Sequence, residues 1–498
     1  MSRTLALGID VGTSTTKAAV FDLDDPVAPL TIAGAPSAVE HPRPGWSEAD
    51  PVKVFDTVFD CVRSAISGLG PVGRSPSDVV SIGISGTACG SWLIEADGAL
   101  VRPAILWNDS RAAHVVDEWR RVGITDQLFD LSGNVPFPGY TLPVLAWLRG
   151  EEPQSIRRAR ATLCCKDWLR FNLTGVVATD ESDASYFPFN ISQRSWDEQI
   201  MQLCGVDDLR GLLPPIAAAS DIQPLLPAIA REWGLQPDVS VAVGATDIVA
   251  GLVGGGALSD GDALTILGTS ANSSVVTDRP EFSPRNLGIM AAGPGRCWAR
   301  TMINTSGSTT LDWSASLLGL HSPSELEALA LDGSGQTDRP VLVPYLAGAG
   351  TVSPRYDPLA RGSLVGLRSQ HTRADIARAA IEGLAFSVVD SYKTMTRPVV
   401  ELTAIGGAAR SNILLQSIAN ALEATVHRPV ASEFGARGVA LLSGAASGHY
   451  SAAEFVNAAK RVQRDITFFP NADAPAAKEQ YGIFQKARGH VDGIGAMW

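Results

Sequence analysis

The 498-residue sequence predicts an α/β fold in two successive halves. Three observations support that expectation. Strand-like segments alternate with segments of helical periodicity through the second half, the order that builds α/β layers. A strand, Gly-Thr-Ser turn, strand pattern occurs twice, at residues 10–20 and 266–276. Hydrophobic residues make up 45% of the chain and charged residues 18%, enough apolar surface for large cores. At roughly 150 residues per domain, the length suggests two to four domains.

Residues 4–10 read as a strand, Gly12-Thr13-Ser14 as a turn and residues 17–22 as a second strand, together a hairpin. Asp50-Pro51 reads as a helix cap followed by proline at the first helical position. Val52, Phe55, Phe59, Val62, Ile66 and Leu69 then recur at helical spacing. Residues 79–85 form a short apolar strand ending at Gly86. Leu93-Ile94 and Leu100-Val101 flank an Ala-Asp-Gly turn, which predicts another hairpin. Residues 214–237 are rich in Pro and Ala, and a fresh strand follows at 239–243. The division is therefore placed between 1–238 and 239–498. After 239–243 come a helix near 248–253, a strand at 263–267, a helix near 306–318 and a strand at 341–346. A helix at 373–394, a strand at 401–405 and a helix at 411–422 complete the alternation.

Charge and cysteine usage exclude several classes. With 40 basic and 52 acidic residues the net charge is −12, which disfavours a broad nucleic-acid-binding face. An acidic chain still binds an anionic nucleotide where backbone N–H groups and a metal ion neutralise the phosphates. The six cysteines, Cys61, Cys89, Cys164, Cys165, Cys204 and Cys297, contain no CxxC and read as free thiols in a reducing cytoplasm. The seven histidines include no HxxxH pair, so no zinc-hydrolase site is visible. The N-terminus lacks the apolar core and small-residue cleavage site of a signal peptide. No apolar run approaches the ~18 residues of a membrane span. A cytoplasmic protein with no membrane and no nucleic-acid partner is expected.

The phosphate loop GxxxxGK[ST] and the protein-kinase HRD set are absent. Gly68-Leu69-Gly70-Pro71-Val72-Gly73 matches GxGxxG but follows a helix, and reads as a helix-terminating turn. Phosphate is held another way where a hairpin turn aims successive N–H groups at one point. Gly12 permits close approach, Thr13, Ser14, Thr15 and Thr16 add hydroxyls, and Lys17 adds a charge or only supports the hairpin. Asp10, at the strand end, suits a magnesium ion held through water. An ordinary Gly-Ser-Thr turn is the plainer alternative. Two such hairpins facing each other form a phosphate clamp. Asp247 follows a strand and is the single acid before a run of Ala and Gly, which is where open α/β sheets keep active sites; it also suits a helix cap. Residues 405–412 run from a strand through Gly406 and Gly407 into a helix, a flat wall for a base or ribose, or a structural turn. Trp107-Asn108-Asp109-Ser110-Arg111 offers a ring and several polar groups to a polyhydroxylated ligand, or caps a helix.

Together these segments resemble the FGGY carbohydrate kinases over nearly the whole chain. Gly362-Ser363-Leu364-Val365-Gly366-Leu367, followed after seven residues by 375–382, is similar to that family's C-terminal signature. Residues 8–17 resemble its first phosphate motif, Gly268-Thr269-Ser270 its second, and Gly406-Gly407-Ala408 with Ser411 its adenosine motif. Asn304-Thr305-Ser306-Gly307 lies where the family has a nucleotide-contacting segment. The resemblance implies two actin-like (ribonuclease H-like) ATPase domains around a central cleft, with ATP and Mg²⁺ as cofactors.

By the same resemblance Asp247 falls on the catalytic base and Asp10 on the metal position. Thr13, Ser14, Thr15, Lys17, Gly268, Thr269, Gly307, Gly406, Gly407 and Ser411 fall on nucleotide positions. Thr87, Ala88, Cys89, Trp107, Asn108 and Asp109 fall on sugar positions. Two departures stand out. Val144 occupies a position where the N-terminal signature has Lys. Thr87-Ala88-Cys89 replaces the Gln-Met-His of xylulokinases, whereas Lys166-Asp167-Trp168-Leu169 and residues 179–185 are similar to kinases for L-xylulose-type ketoses and erythritol. The expected substrate is a pentulose of xylulose type. A polyol such as erythritol or glycerol is the alternative acceptor, and a non-catalytic sugar sensor the alternative class. A homodimer is compatible with the sequence.

Overall fold

The computed structural model describes residues 4–332, 338–347 and 350–491. The first sheet starts from β1 (Leu5–Val11), β2 (Thr15–Asp22) and β3 (Thr31–Pro36). Helix α1 (Pro51–Ser67) follows, capped by Asp50, whose side chain accepts from the Val52 N–H, with proline in its first turn. The sheet is completed by β4 (Val79–Gly86), β5 (Ile222–Pro224), β6 (Ser240–Ala242) and the short β7 (Ala245–Thr246). Helix α2 (Asp247–Gly254) leads out of it. The second sheet comprises β8 (Ala263–Leu267), β9 (Ala271–Thr277), β10 (Ile289–Ala292), β11 (Trp298–Asn304), β12 (Glu401–Ile405), β13 (Thr425–Pro429) and β14 (Arg464–Phe468). Its helices include α3 (Arg373–Thr394), α4 (Asn412–Leu422) and α5 (Phe434–Ala446).

The two sheets share one series of strand orientations, although their last two strands are reached in opposite chain order, the edge strand β5 before β6 in the first and the inner strand β13 before the edge strand β14 in the second. In the first, the order β3-β2-β1-β4-β6-β5 runs antiparallel, antiparallel, parallel, parallel, antiparallel. In the second, β11-β9-β8-β12-β13-β14 repeats that series of orientations strand for strand. The twin Gly-Thr-Ser turns therefore mark a structural repeat, with β1–β2 and β8–β9 as equivalent hairpins. The central strands are buried on both faces, as parallel-sheet strands are: Leu5, Leu7 and Ile9 of β1 are at most 1% exposed.

The helices cross over between the repeats. Helix α2 follows the first sheet but packs toward the second, where a Cβ on Gly251 would fall 2.7 Å from the Ile266 side chain. Helix α5 follows β13 of the second sheet but lies on the first. A Cβ on Gly8 would fall 2.0 Å from the Ala436 carbonyl oxygen, and one on Gly83 would fall 1.9 Å from that of Val439. The two helices touch backbone to backbone: Cβ atoms on Gly438 and Gly254 would each meet a carbonyl oxygen at 1.9 Å, those of Ala250 and Phe434. Buried Arg437 then ties the ends of the crossing together, donating to the carbonyls of Pro26, Gly254, Ala458, Ala459 and Arg461.

Two local expectations change, and one is met with an added partner. The strand read as opening the second half, 239–243, instead completes the first sheet beside β4. The change of sheet thus falls between Thr246 and Ala263, after the proposed division at 238/239. The expected hairpin of Leu93-Ile94 with Leu100-Val101 forms, the Val101 N–H donating to the Leu93 carbonyl at 2.9 Å and Ile94 bridging Leu100, and Trp92–Ile94 pairs in addition with Ala161–Leu163. Val341–Val343 pairs with Ser363–Val365 in a separate ribbon, outside the large sheet. Gly68 caps α1 and residues 70–72 form a single turn, so the GxGxxG match is a helix terminus. Val144 is fully buried in an apolar cluster. Among the described residues no helix is long and apolar enough to cross a membrane.

The helix crossing generates the first prediction. Gly438→Ala drives a methyl against the fixed Ala250 carbonyl and lowers unfolding stability by about 3 kcal/mol, at the upper end of overpacking costs. Denaturant melts of variant and parent check this.

Candidate active site

Both hairpin turns and both crossing-helix N-termini open on one cavity of ≈ 680 Å³. The first hairpin is closed by the Gly12 N–H donating to the Thr15 carbonyl at 3.1 Å. Thr13 Oγ1 accepts from Trp107 Nε1 at 2.8 Å, which fixes the indole against the turn. The second hairpin faces the first: Ser14 Oγ and Thr269 Oγ1 are 2.8 Å apart. Gly406 has a φ of +98°, and a Cβ there would lie 2.6 Å from the Leu267 oxygen, so only glycine lets β12 turn beside this hairpin. Lys17 lines the cavity with its Nζ 2.7 Å from Glu433, just before α5.

Two acids converge at the centre. Asp10, at the end of β1, is pushed up to about 6 by burial, against the pull of Lys17. Its Oδ1 is buried without a hydrogen-bond partner. Gly435 in the first turn of α5 abuts it, since a Cβ there would sit 2.2 Å from Asp10 Oδ2. Asp247 is pushed up to about 7, by burial first and by the charge of Asp10 second, while the Ile248 N–H donating to it opposes the shift. The capping duty falls to Thr246, so the Asp247 carboxylate is left to the cavity. An orphaned buried oxygen beside a second acid fits a divalent cation, bound directly or through water. The positive ends of α2 and α5 and the turn N–H groups fit phosphate.

Of the sequence candidates, the cavity walls bring together Asp10, Thr13, Ser14, Thr15, Lys17, Ala88, Cys89, Trp107, Asp247, Gly268, Thr269, Gly406 and Gly407. Five others lie outside the walls, four of them with packing duties. The Thr87 N–H donates to the Val11 carbonyl and holds β4 to β1. Asp109 accepts from the Ser47 N–H at 2.6 Å and from the Arg111 guanidinium at 2.7 and 2.8 Å. Asn108 sits in that loop with its Oδ1 buried. Gly307 lets its backbone pass the second hairpin, where a Cβ would come 2.4 Å from the Gly268 oxygen. Ser411 caps α4, accepting from the Leu414 N–H.

Sequence reasoning missed the apolar end of the cavity: Phe137, Tyr186, Ile289 and Ile303. These residues come from four distant segments with no motif. It also missed the turn into α5, although a strand running through Ser432, Glu433 and Gly435 into a helix repeats the pattern that singled out Asp247. Behind the cavity, fully buried Lys166 meets Asp167 at 2.5 Å, Asp180 at 2.8 Å and Asp183 at 3.0 Å. Its ammonium takes the place of any cation among those acids. The Thr246 N–H donates to Ser182 Oγ at 2.9 Å, so this buried cluster also anchors the start of α2.

The repeated sheet, the crossed helices and the clefted hairpins define a two-domain actin-like ATPase fold. Residues 5–254 match the model of the FGGY family of carbohydrate kinases, N-terminal domain, and residues 263–447 match that of its C-terminal domain. The xylulose kinase of Escherichia coli is 32% identical over 425 residues, 83% of this chain and 84% of that protein. The glycerol kinase of Nitratidesulfovibrio vulgaris is 31% identical over 507 residues, 97% of each. A crystal structure of a xylulose kinase from Brucella ovis superposes with a TM-score of 0.85 at 28% identity, over 98% of this chain and all of that one. The chain belongs to the FGGY family of carbohydrate kinases, and is a sugar kinase.

The paired acids predict a pH effect. Both hold protons in the folded state well above 3.8, so ligand-free stability falls as pH rises from about 4 through about 7. Asp247→Asn removes one share of that loss. Its melting temperature exceeds the parent's at pH 8, and the gap closes toward pH 4. Thermal melts without nucleotide or metal measure it; a gap independent of pH contradicts the assignment.

Proposed function

We propose that this sugar kinase transfers the γ-phosphoryl group of ATP to a hydroxyl of a small ketose, with Asp247 as general base. The observation that supports this most is the environment of Asp247: a buried carboxyl at the cavity end of α2, pushed up to about 7. A base poised near neutral pH accepts a hydroxyl proton efficiently as the P–O bond forms. Thr13, Ser14, Thr15, Gly268 and Thr269 hold the phosphates, and Gly406 and Gly407 give the adenosine a flat wall. Gly307 and Ser411 act through the backbone they position. Asp10 would hold a magnesium ion, which would supply positive charge to offset that of the phosphates. The 2.8 Å contact of Ser14 with Thr269 leaves no room for a phosphoryl group between those hydroxyls, so nucleotide entry requires the hairpins to part. Closing them again excludes the water that would otherwise hydrolyse ATP.

Trp107, Ala88 and Cys89 bound the acceptor end. A xylulose-type pentulose is the favoured class, in line with the xylulose kinase relative. The small apolar pair Ala88-Cys89 favours a second reading, a polyol such as glycerol or erythritol, and the glycerol kinase relative is in keeping with it.

Two outcomes are expected. Asp247→Asn keeps nucleotide binding and loses ~10²–10⁴-fold in turnover, the usual range for a general base. Nucleotide titration and coupled kinetics separate the two, and near-normal turnover contradicts the role. In an ATP-consumption screen over pentuloses, hexuloses and tetritols, D-xylulose does not rank first in kcat/KM. Losing one hydrogen bond at Cys89 costs ~1 kcal/mol, and D-xylulose in first place overturns that reading.

A further inference from the structure

One polar group at the cavity has no task in the scheme above. Tyr186 lies just past the buried acid cluster and is 1% exposed, yet it forms part of the cavity wall with Cys89, Phe137, Asp247 and Ile289. Its hydroxyl is buried and finds no hydrogen-bond partner. The neighbouring phenol behaves otherwise: the Tyr140 hydroxyl donates to the Ser185 carbonyl at 3.0 Å. The two rings meet edge to face with centroids 6.0 Å apart, and Phe137 packs on Tyr140 at 5.8 Å, so the Tyr186 ring is held in place. Burial first, and then the charges of Cys89, Asp247 and Asp183, oppose ionisation of the Tyr186 phenol, so it stays a hydroxyl. A buried hydroxyl left without a partner is a liability in the empty protein and an asset when a ligand supplies the missing oxygen.

We propose that the Tyr186 hydroxyl hydrogen-bonds a non-reacting oxygen of the acceptor and so sets which sugar this kinase selects. The inference rests on the acceptor end lying beside Asp247, as proposed above. Of the other groups on the cavity wall, Ala88, Phe137, Ile289 and Ile303 offer no side-chain hydrogen bond and Cys89 offers only a thiol, while Asn272, across from Ile303, is an amide whose Oδ1 is also buried without a partner. Tyr186 therefore supplies the polar reading that the missing Gln-Met-His trio does not. The acceptor class that fits is a short ketose or tetritol that brings one of its several oxygens to the phenol.

The test uses the full chain, the sugar and polyol panel, and the mono-deoxy forms of the best acceptor found in it. Tyr186→Phe loses about ten-fold or more in kcat/KM for that acceptor, with the KM for ATP unchanged. For one deoxy form, the one lacking the oxygen that faces the phenol, variant and parent perform equally. The ligand-free variant melts at the same temperature as the parent or higher, because it sheds an unsatisfied hydroxyl. An equal loss on every deoxy form, no loss at all, or a lowered melting temperature overturns the inference and leaves the kinase assignment standing. A parent enzyme that phosphorylates nothing in the panel overturns both.

Discussion

The crossing of α2 and α5 sets the spacing of everything at the centre of this molecule. Where Ala250 meets Gly438 and Gly254 meets Phe434, the two helices are separated by backbone alone. Larger residues there would push the helices apart and carry their N-termini with them. Those N-termini bear Asp247 on one side and Gly435, pressed on Asp10, on the other. The distance between the two acids is thus fixed by glycines that lie a turn or two away from the chemistry. Arg437 reinforces the arrangement by gathering backbone carbonyls from the end of α2, from the region after α5 and from the first hairpin's outer loop.

Electrostatics and packing pull in opposite directions at that centre. Close packing forces two carboxyls into a dry space, and each is harder to ionise as a result. The surrounding structure offers compensation of one sign: helix N-termini, turn N–H groups and Lys17, all suited to anions. Lys17 itself is balanced by Glu433. The empty site therefore holds two acids at a cost in stability, which is the ordinary trade of stability for function. Lys166 shows the contrasting solution. There three carboxylates surround one buried ammonium, and the cluster serves as a fixed brace for the strand that ends in Thr246.

Much of this was legible in the sequence wherever the signal was local. Asp50-Pro51 marked a helix start because capping is decided within four residues. The twin Gly-Thr-Ser turns revealed the repeat because each hairpin needs the same turn chemistry. Asp10, Thr13, Asp247 and Thr269 stood at strand ends, where α/β folds place their sites. The failures were of things that only tertiary structure decides. Strand Ser240–Ala242 looked like the start of a new unit, because sheet membership is not written in the strand itself. Asp109 looked free for a ligand, and Arg111, held between Trp46 and Trp147, claims it. Tyr186 carried no motif at all; only its burial and its unpaired hydroxyl single it out.

The exchanged helices also bear on how the chain is made. The apolar face formed by Ala6, Ala19 and Phe21 is covered by Ala436 and Ala440 of α5. A ribosome that has released the first sheet and α2, up to Gly254, must still add the chain as far as Ala446 before that face is closed. At synthesis rates of about 5–20 residues per second, the nascent first lobe waits for roughly 10–40 s with an open flank. Its folding is completed only once α5 has been made.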